Sequence, residues 1–354
     1  MGEIKKMILE NNILEMKDRL SKYKDKISGK TFVITGGAGF LGKNIVWALQ
    51  KVNEELINKC KIIVLDNYIT GIENEFEIDG NIKCIKHDIT DKIEINEDID
   101  YILHAAGIAS PLFYSKYKLE TMKTTIDGTQ HILDMAIEHD CESVLFFSTS
   151  EVYGSPSDEN IPTPETFNGN VSCTGPRAHY DESKRLAETL CVTYHDIFDV
   201  NVKIVRPFNV YGPGMRLDDG RGLINICKCA ISNEELPVYD MGTSTRTWTY
   251  ITDAVIGFMK VLFSDENGEA FNVGTDADEI STIDLARLTK KLSNSQSKLT
   301  LMDAPIRVYK KEFDVLRRCP DISKIRERLQ FKPKVTLKSG LKRTIDWIKE
   351  ELNK

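Results

Sequence analysis

The sequence predicts an α/β fold, a doubly wound parallel sheet followed by a smaller C-terminal α/β lobe. Three observations predict it. Short apolar runs alternate with helical stretches from Thr31 to Arg206, the pattern of parallel strands joined by crossover helices. The first run stops at a turn holding Gly36, Gly37, Gly39 and Gly42, after which Ile45, Val46 and Leu49 recur at helical spacing. The alternation then breaks in the turn-rich stretch Pro207 to Gly214.

Taken in order, residues 1–29 precede the alternating pattern. Ile13, Met16, Leu20, Tyr23 and Ile27 recur at spacings of three and four among many charged residues. This predicts an amphipathic helix lying on the body or on a partner subunit, ending near Ser28 and Gly29. Residues 30–206 form the expected nucleotide-binding domain. Its strands are expected at 31–35, 62–66, 82–85, 100–104, 143–148 and 202–206, and its helices at 40–52, 116–139 and 180–198. A segment at about 238–263 is expected to return to this domain. The rest of 207–354 forms the smaller lobe, with helices at 221–232 and 281–293.

Composition narrows the function classes. The chain has 354 residues, 41% hydrophobic and 29% charged, with a net charge of −7, ordinary for a globular protein and without the basic field that nucleic acid or an anionic membrane requires. No apolar run approaches the length of a membrane span, and the N-terminus lacks a hydrophobic signal core. Eight cysteines are scattered without a CxxC pair or metal-ligand spacing. The expectation is a metal-free cytoplasmic protein with reduced cysteines.

Strand, glycine turn and helix together carry the first chemistry. Gly36, Gly39 and Gly42 let the backbone turn tightly and approach a pyrophosphate. Phe40 and Leu41 open the helix whose free N–H groups face it. Asp66 closes the next strand about 24 residues beyond Gly42, where a carboxylate binds the adenosine ribose hydroxyls and repels a 2′-phosphate. The fold is therefore of the Rossmann type, and NAD is favoured over NADP. In an open α/β sheet the ligand lies beyond the carboxyl ends of the strands, which brings Ala105 and Ala106, after the fourth strand, beside the cofactor. His104 receives no catalytic role.

The fifth strand ends at Thr149, Ser150 and Glu151, small polar and acidic groups at the same edge. Tyr180 and Lys184 follow at i and i+4 on one helix face. An ammonium beside a phenol favours the phenolate, so Lys184 is expected to draw the Tyr180 pKa toward neutrality and make it a base. Tyr114 and Lys118 repeat the spacing, but only Tyr180 follows the polar strand end.

Five motifs, GlyGlyAlaGlyPheLeuGly (36–42), HisAlaAlaGly (104–107), SerThrSerGluValTyrGly (148–154), TyrAspGluSerLys (180–184) and ArgProPheAsnValTyrGlyPro (206–213), occur in this order. The chain thereby resembles the extended short-chain dehydrogenase/reductases that act on nucleotide sugars, from about Lys30 to Trp347. Within that group it is most similar to the UDP-glucuronate decarboxylases, the UDP-xylose synthases. The shared words are long: GlyProArgAlaHisTyrAspGluSerLysArg (175–185), ThrArgThrTrpThrTyrIleThrAsp (245–253) and ArgCysProAspIleSer (318–323).

The resemblance implies roles. Tyr180 takes the proton of a sugar 4-hydroxyl, Thr149 hydrogen-bonds that oxygen, and Lys184 holds the nicotinamide ribose. Glu151 and Arg246 belong to decarboxylation, with Arg246 steering the acid group or supplying a proton. The cofactor set extends to Asn67, Asp88, Ile89 and Lys123. Tyr114, Ser150, Asn209, Arg216, Arg221 and Arg246 form the substrate set. The substrate implied is a nucleotide sugar, with a UDP-sugar favoured, and the assembly implied is a homodimer. Two departures stand out: Thr125 replaces a usual asparagine, and Gly214 replaces the arginine expected after GlyPro, with Arg216 close by. Epimerisation at C4 and 4,6-dehydration remain alternatives, as does a non-catalytic NAD-binding protein. A 4,6-dehydratase carries Asp-Glu where this chain has Ser150 and Glu151, and a serine cannot protonate a leaving hydroxyl.

Overall fold

The computed structural model describes residues 3–302 and 315–352. Residues 303–314, inside the segment expected to form the C-terminal lobe, lie outside them. Seven strands form one parallel sheet: β1 (Thr31–Thr35), β2 (Lys61–Asp66), β3 (Ile82–Lys86), β4 (Tyr101–His104), β5 (Ser143–Phe147), β6 (Val202–Pro207) and β7 (Ala270–Val273). Their spatial order is β7-β6-β5-β4-β1-β2-β3, so the chain reverses direction across the sheet between β1 and β4. That switch point opens a crevice at the carboxyl edge.

Alternation along the strands divides the core in two. Phe32, Ile34, Val64, Leu103, Leu145 and Val205 pack on one face with Ile45 and Leu49 of α3 (Phe40–Asn53) and with α8 (Ile251–Leu262). Val33, Ile63, Leu65, Ile102, Val144 and Ile204 face Ile132 and Leu133 of α5 (Lys118–Glu138) and Ala187 and Cys191 of α6 (Ala178–Phe198). The seventh strand was not foreseen. Asn272 interrupts its apolar run, yet the side chain is buried and satisfied, accepting from Tyr153 Oη at 2.7 Å and donating to Thr163 O at 2.9 Å.

The N-terminal extension folds onto the body. It comprises α1 (Glu3–Leu20), a 3₁₀ turn at Ser21–Tyr23 and α2 (Lys24–Ile27). Its buried face is Ile8, Asn12, Met16 and Leu20, a strict i+4 row, with Ile13 and Tyr23 at its flank. A polar residue therefore sits where the apolar spacing foretold none. Asn12 is held there because it exchanges hydrogen bonds with Tyr250 Oη at 2.9 and 3.1 Å. Arg19 reaches Asp253 at 2.7 Å, and Glu15 reaches Arg343 at 2.9 Å. The expected helix 116–139 is broken at Tyr117, between α4 (Pro111–Lys116) and α5.

Beyond β6, α7 (Gly222–Ser232), α9 (Thr282–Ser293) and α10 (Leu337–Leu352) pack together. Leu223, Leu285 and Leu341 share one continuous apolar cluster with Phe32 and Ile34 of the sheet. A small three-stranded sheet orders the site: Thr245–Arg246 pairs antiparallel with Ile280–Ser281 and parallel with Arg317–Arg318. Its register sets Arg318 opposite Arg246.

Candidate active site

A cavity of about 560 Å³ opens at the carboxyl edge of the sheet, within the usual range for a bound small molecule. At one end lies the glycine turn. Gly36 has φ +64°, and a Cβ there would stand 2.7 Å from the Ala105 carbonyl oxygen and from Ala106. A Cβ on Gly42 would stand 2.5 Å from Gly36 O. Only glycine permits this close layering of turn, helix start and β4 end. Gly36, Gly39, Phe40, Leu41, Gly42, Ala105 and Ala106 all line the cavity.

Asp66 forms the wall beside them, at the end of β2. Its carboxylate accepts from Ala38 N at 3.0 Å and Tyr68 N at 2.8 Å, which fixes its aim. Burial pushes its pKa up against those two donors. Asn67 and Ile89 line the cavity, while Asp88 stands behind the wall and holds Asn67 Nδ2 at 3.0 Å. These groups fit a dinucleotide: a bare backbone cradle for a diphosphate, then a fixed carboxylate for ribose hydroxyls. Lys123 is not brought to the cavity. It stands exposed on α5, and its neighbour Thr124 forms the wall instead.

Deeper in, Thr149 caps the 3₁₀ turn Ser150–Tyr153, its Oγ1 accepting from Glu151 N at 3.2 Å. Tyr180, in the first turn of α6, is buried and hydrogen-bonded to Thr149. Burial pushes the phenol up to about 12, opposed by that bond and by Arg221. The protein groups around Tyr180 do not by themselves draw it toward neutrality. Lys184 lies one helical turn on, but its Nζ donates to Phe147 O at 2.7 Å and sits 4.8 Å above the Phe146 ring. Burial brings this ammonium down to about 8, and the larger influences on Tyr180 besides burial are Thr149, Glu151, Arg221 and Asp181. Gly107 separates it from the cavity: a Cβ there would stand 3.4 Å from Lys184 Nζ.

Glu151 is the centre of a charge cluster that sequence reasoning saw only in part. Arg177, the N-cap of α6, donates through Nη2 to Glu151 Oε2 and, at 3.2 Å, to Asp181 Oδ1. Arg318 reaches Glu151 Oε1 at 2.7 Å. Burial alone would raise the Glu151 pKa, but Arg318, Arg177 and then Arg246 hold it below the ordinary value. Burial, with Glu151 repelling it, raises Asp181 to about 7 against the pull of Arg177 and Arg318. Arg246 lines the cavity and donates to the carbonyls of Thr245 (2.7 Å), Leu316 (3.0 Å) and Val315. Both missed arginines lay in quoted motif words, 175–185 and 318–323, where an arginine fixed beside an acid-bearing site was the available signal.

The remaining substrate candidates also border the cavity. Tyr114 stacks on Tyr180, ring centroids 4.9 Å apart at 17°. Ser150 lines the wall between Thr149 and Glu151. Asn209 donates to Thr247 O at 2.9 Å, and Arg221 pairs with Asp219 at 3.1 Å. Arg216 pairs with Asp218 at 2.7 Å and reaches Thr70 O at 3.3 Å. His104 is a buried strut between Thr35 (2.7 Å) and Thr129 (3.2 Å), brought down to about 3 by burial.

Comparison with known proteins agrees with this geometry. The family model described as "NAD dependent epimerase/dehydratase family" matches residues 32–274. UDP-glucuronic acid decarboxylase 5 of Arabidopsis thaliana is 38% identical over 317 residues, covering 89% of this chain and 88% of that protein. UDP-glucuronic acid decarboxylase 1 of Xenopus tropicalis is 35% identical, covering 94% of this chain and 75% of that protein. Among solved structures, UDP-glucuronic acid 4-epimerase from Bacillus cereus, in complex with UDP-glucuronic acid and NAD, superposes with a TM-score of 0.75 at 26% identity, covering 91% of this chain and 99% of that one.

Proposed function

The chain belongs to the NAD dependent epimerase/dehydratase family, and from that premise we propose that it decarboxylates UDP-glucuronate to UDP-xylose. The observation that carries this reading is the arginine cage. Arg177, Arg246 and Arg318 converge on the end of the cavity that holds Thr149 and Tyr180, a field suited to an anionic sugar carboxylate. The curated relatives named as UDP-glucuronic acid decarboxylases support it.

NAD is the cofactor; when bound it accepts a hydride from the sugar and returns it within one turnover. The glycine turn and Asp66 hold it. Tyr180, as the phenolate, receives the 4-hydroxyl proton, with Thr149 bonded to the same oxygen. The bond from C5 to the carboxylate then breaks, its electron pair moves into the 4-ketone, and carbon dioxide leaves. C5 takes one proton from solvent, and Tyr180 returns its own proton as the ketone is reduced. Lys184 braces the Phe147 carbonyl at the end of β5, two residues before Thr149. Ser150 leaves the site without the second acid that dehydration requires.

Incubating the purified protein with UDP-glucuronate and assaying carbon dioxide and a pentose product tests the proposal. Release of a C4 epimer or a 4-keto-6-deoxy sugar, with no carbon lost, overturns it. We propose a cytoplasmic location, where all eight cysteines, free in this structure, stay reduced. We also propose a homodimer built on α5 and α6.

A further inference from the structure

The decarboxylation consumes one proton per turnover and requires the site to attract a carboxylate, so the charge of the cage matters to both. Its balance depends on a residue outside the cavity. Asp181 is buried, follows Tyr180 on α6, and is not part of the cavity wall. It shares Arg177 Nη2 with Glu151: one nitrogen serves two carboxylates that lie on different elements.

We propose that Asp181 is a positioning residue that acts through Arg177, setting how fully that guanidinium is committed to Glu151 and how strongly the cage attracts the carboxylate of an acidic sugar. This rests on the reading of the cage as the carboxylate end of the site. With Asp181 protonated, three arginines face one carboxylate and the excess is two positive charges. With Asp181 ionised the excess falls to one, and Arg177 is drawn between two acids. The charged groups facing Asp181 are Arg177 at the α6 N-cap, Glu151 on the 3₁₀ turn and Arg318 on its short strand. Tyr180, its chain neighbour, senses its charge. Burial places the transition of Asp181 at about 7, so the field responds within the working range of a cell.

The test measures binding, by calorimetry on the NAD-loaded Tyr180→Phe protein, of UDP-glucuronate and of UDP-glucose, which lacks the carboxylate. Turnover is suppressed in this protein, which serves as the wild-type reference for the further substitutions below. Neither ligand titrates between about pH 6 and about pH 8.5, so a change in the affinity ratio reports the protein. The wild type is expected to lose about three- to tenfold in its preference for the acid across that range, the effect of one unit charge a few ångströms away in a partly screened site. Asp181→Asn keeps an acceptor for Arg177 and is expected to hold the low-pH preference throughout. Glu182→Gln, on the same helix and paired with Arg185 at 3.5 Å, is expected to follow the wild type. A wild-type ratio that does not change with pH overturns the inference, as does an Asp181→Asn ratio that falls like the wild type's. The carbon dioxide assay runs separately. Failure to release carbon dioxide rejects the decarboxylase reading, while the two binding ratios still decide the role of Asp181.

Discussion

Tyr180 is a buried phenol on the cavity wall. Burial pushes it up to about 12 against the Thr149 hydrogen bond and the Arg221 charge, so Tyr180 can take the 4-hydroxyl proton only as the phenolate, the form that positive charge beside it favours. Tyr180→Phe keeps the ring stacked on Tyr114 and removes only the oxygen. It is expected to lower turnover by about 10²- to 10⁴-fold while NAD still copurifies; chromatographic analysis of the released nucleotide, beside a turnover assay, checks both halves. Asp181 gives a second test, on stability. Its folded pKa, about 7, lies above its unfolded value, so the folded state binds the proton more tightly. The contribution is complete below the unfolded pKa and is lost as pH rises to about 7. Asp181→Asn does not titrate, so its Tm relative to wild type is expected to rise between about pH 4 and about pH 8. A difference that is flat across that interval contradicts the assignment.

Elements built from continuous apolar runs were legible from sequence, and those defined by remote contacts were not. β1 and β2 are β-branched stretches bounded by glycine and aspartate, and their observed limits differ from expectation by no more than a residue. β7 was missed because Asn272 reads as polar until Tyr153 and Thr163 are brought to it by the fold. The cage was half visible for the same reason: Glu151 and Arg246 stood out by resemblance, whereas Arg177 and Arg318 matter only because α6 and a two-residue strand converge. α1 was legible as a helix but not in its orientation, since Asn12 occupies a core position. Its attachment bears on the site, because Tyr250, Thr252 and Asp253, which it grips, directly follow the strand that carries Arg246. Met16 is fully buried at this contact. Met16→Ala is expected to destabilise the protein by about 2–5 kcal/mol through lost burial and a residual cavity, measured as a shift in urea midpoint at unchanged slope.

At the scale of the whole molecule, the surface of α5 and α6 is the part that one chain leaves unexplained. These helices pack closely on each other and cover one face of the sheet, yet they expose Leu119, Met122, Ile137, Leu186, Val192, Ile197 and Phe198. Scattered exposed apolar residues are ordinary, but Leu186 and Ile197 share one face of α6, as Leu119 and Ile137 share one face of α5, and two such rows on adjacent helices suit the proposed subunit contact. A two-fold axis across the pair would bury the same patch on both subunits and close the assembly at two. Tyr180 and Lys184 lie buried in the first two turns of α6, so an interface farther along the helix would leave them untouched. Leu186 and Ile197, three turns apart on α6, are 46% and 65% exposed, enough for glutamate to be tolerated in an isolated subunit. Leu186→Glu with Ile197→Glu is therefore expected to convert a dimer into a folded monomer that retains NAD. Light scattering at micromolar concentration reads the mass, and circular dichroism reads the fold. A wild type already monomeric under those conditions, or a double variant that remains dimeric, assigns these apolar side chains to some other contact.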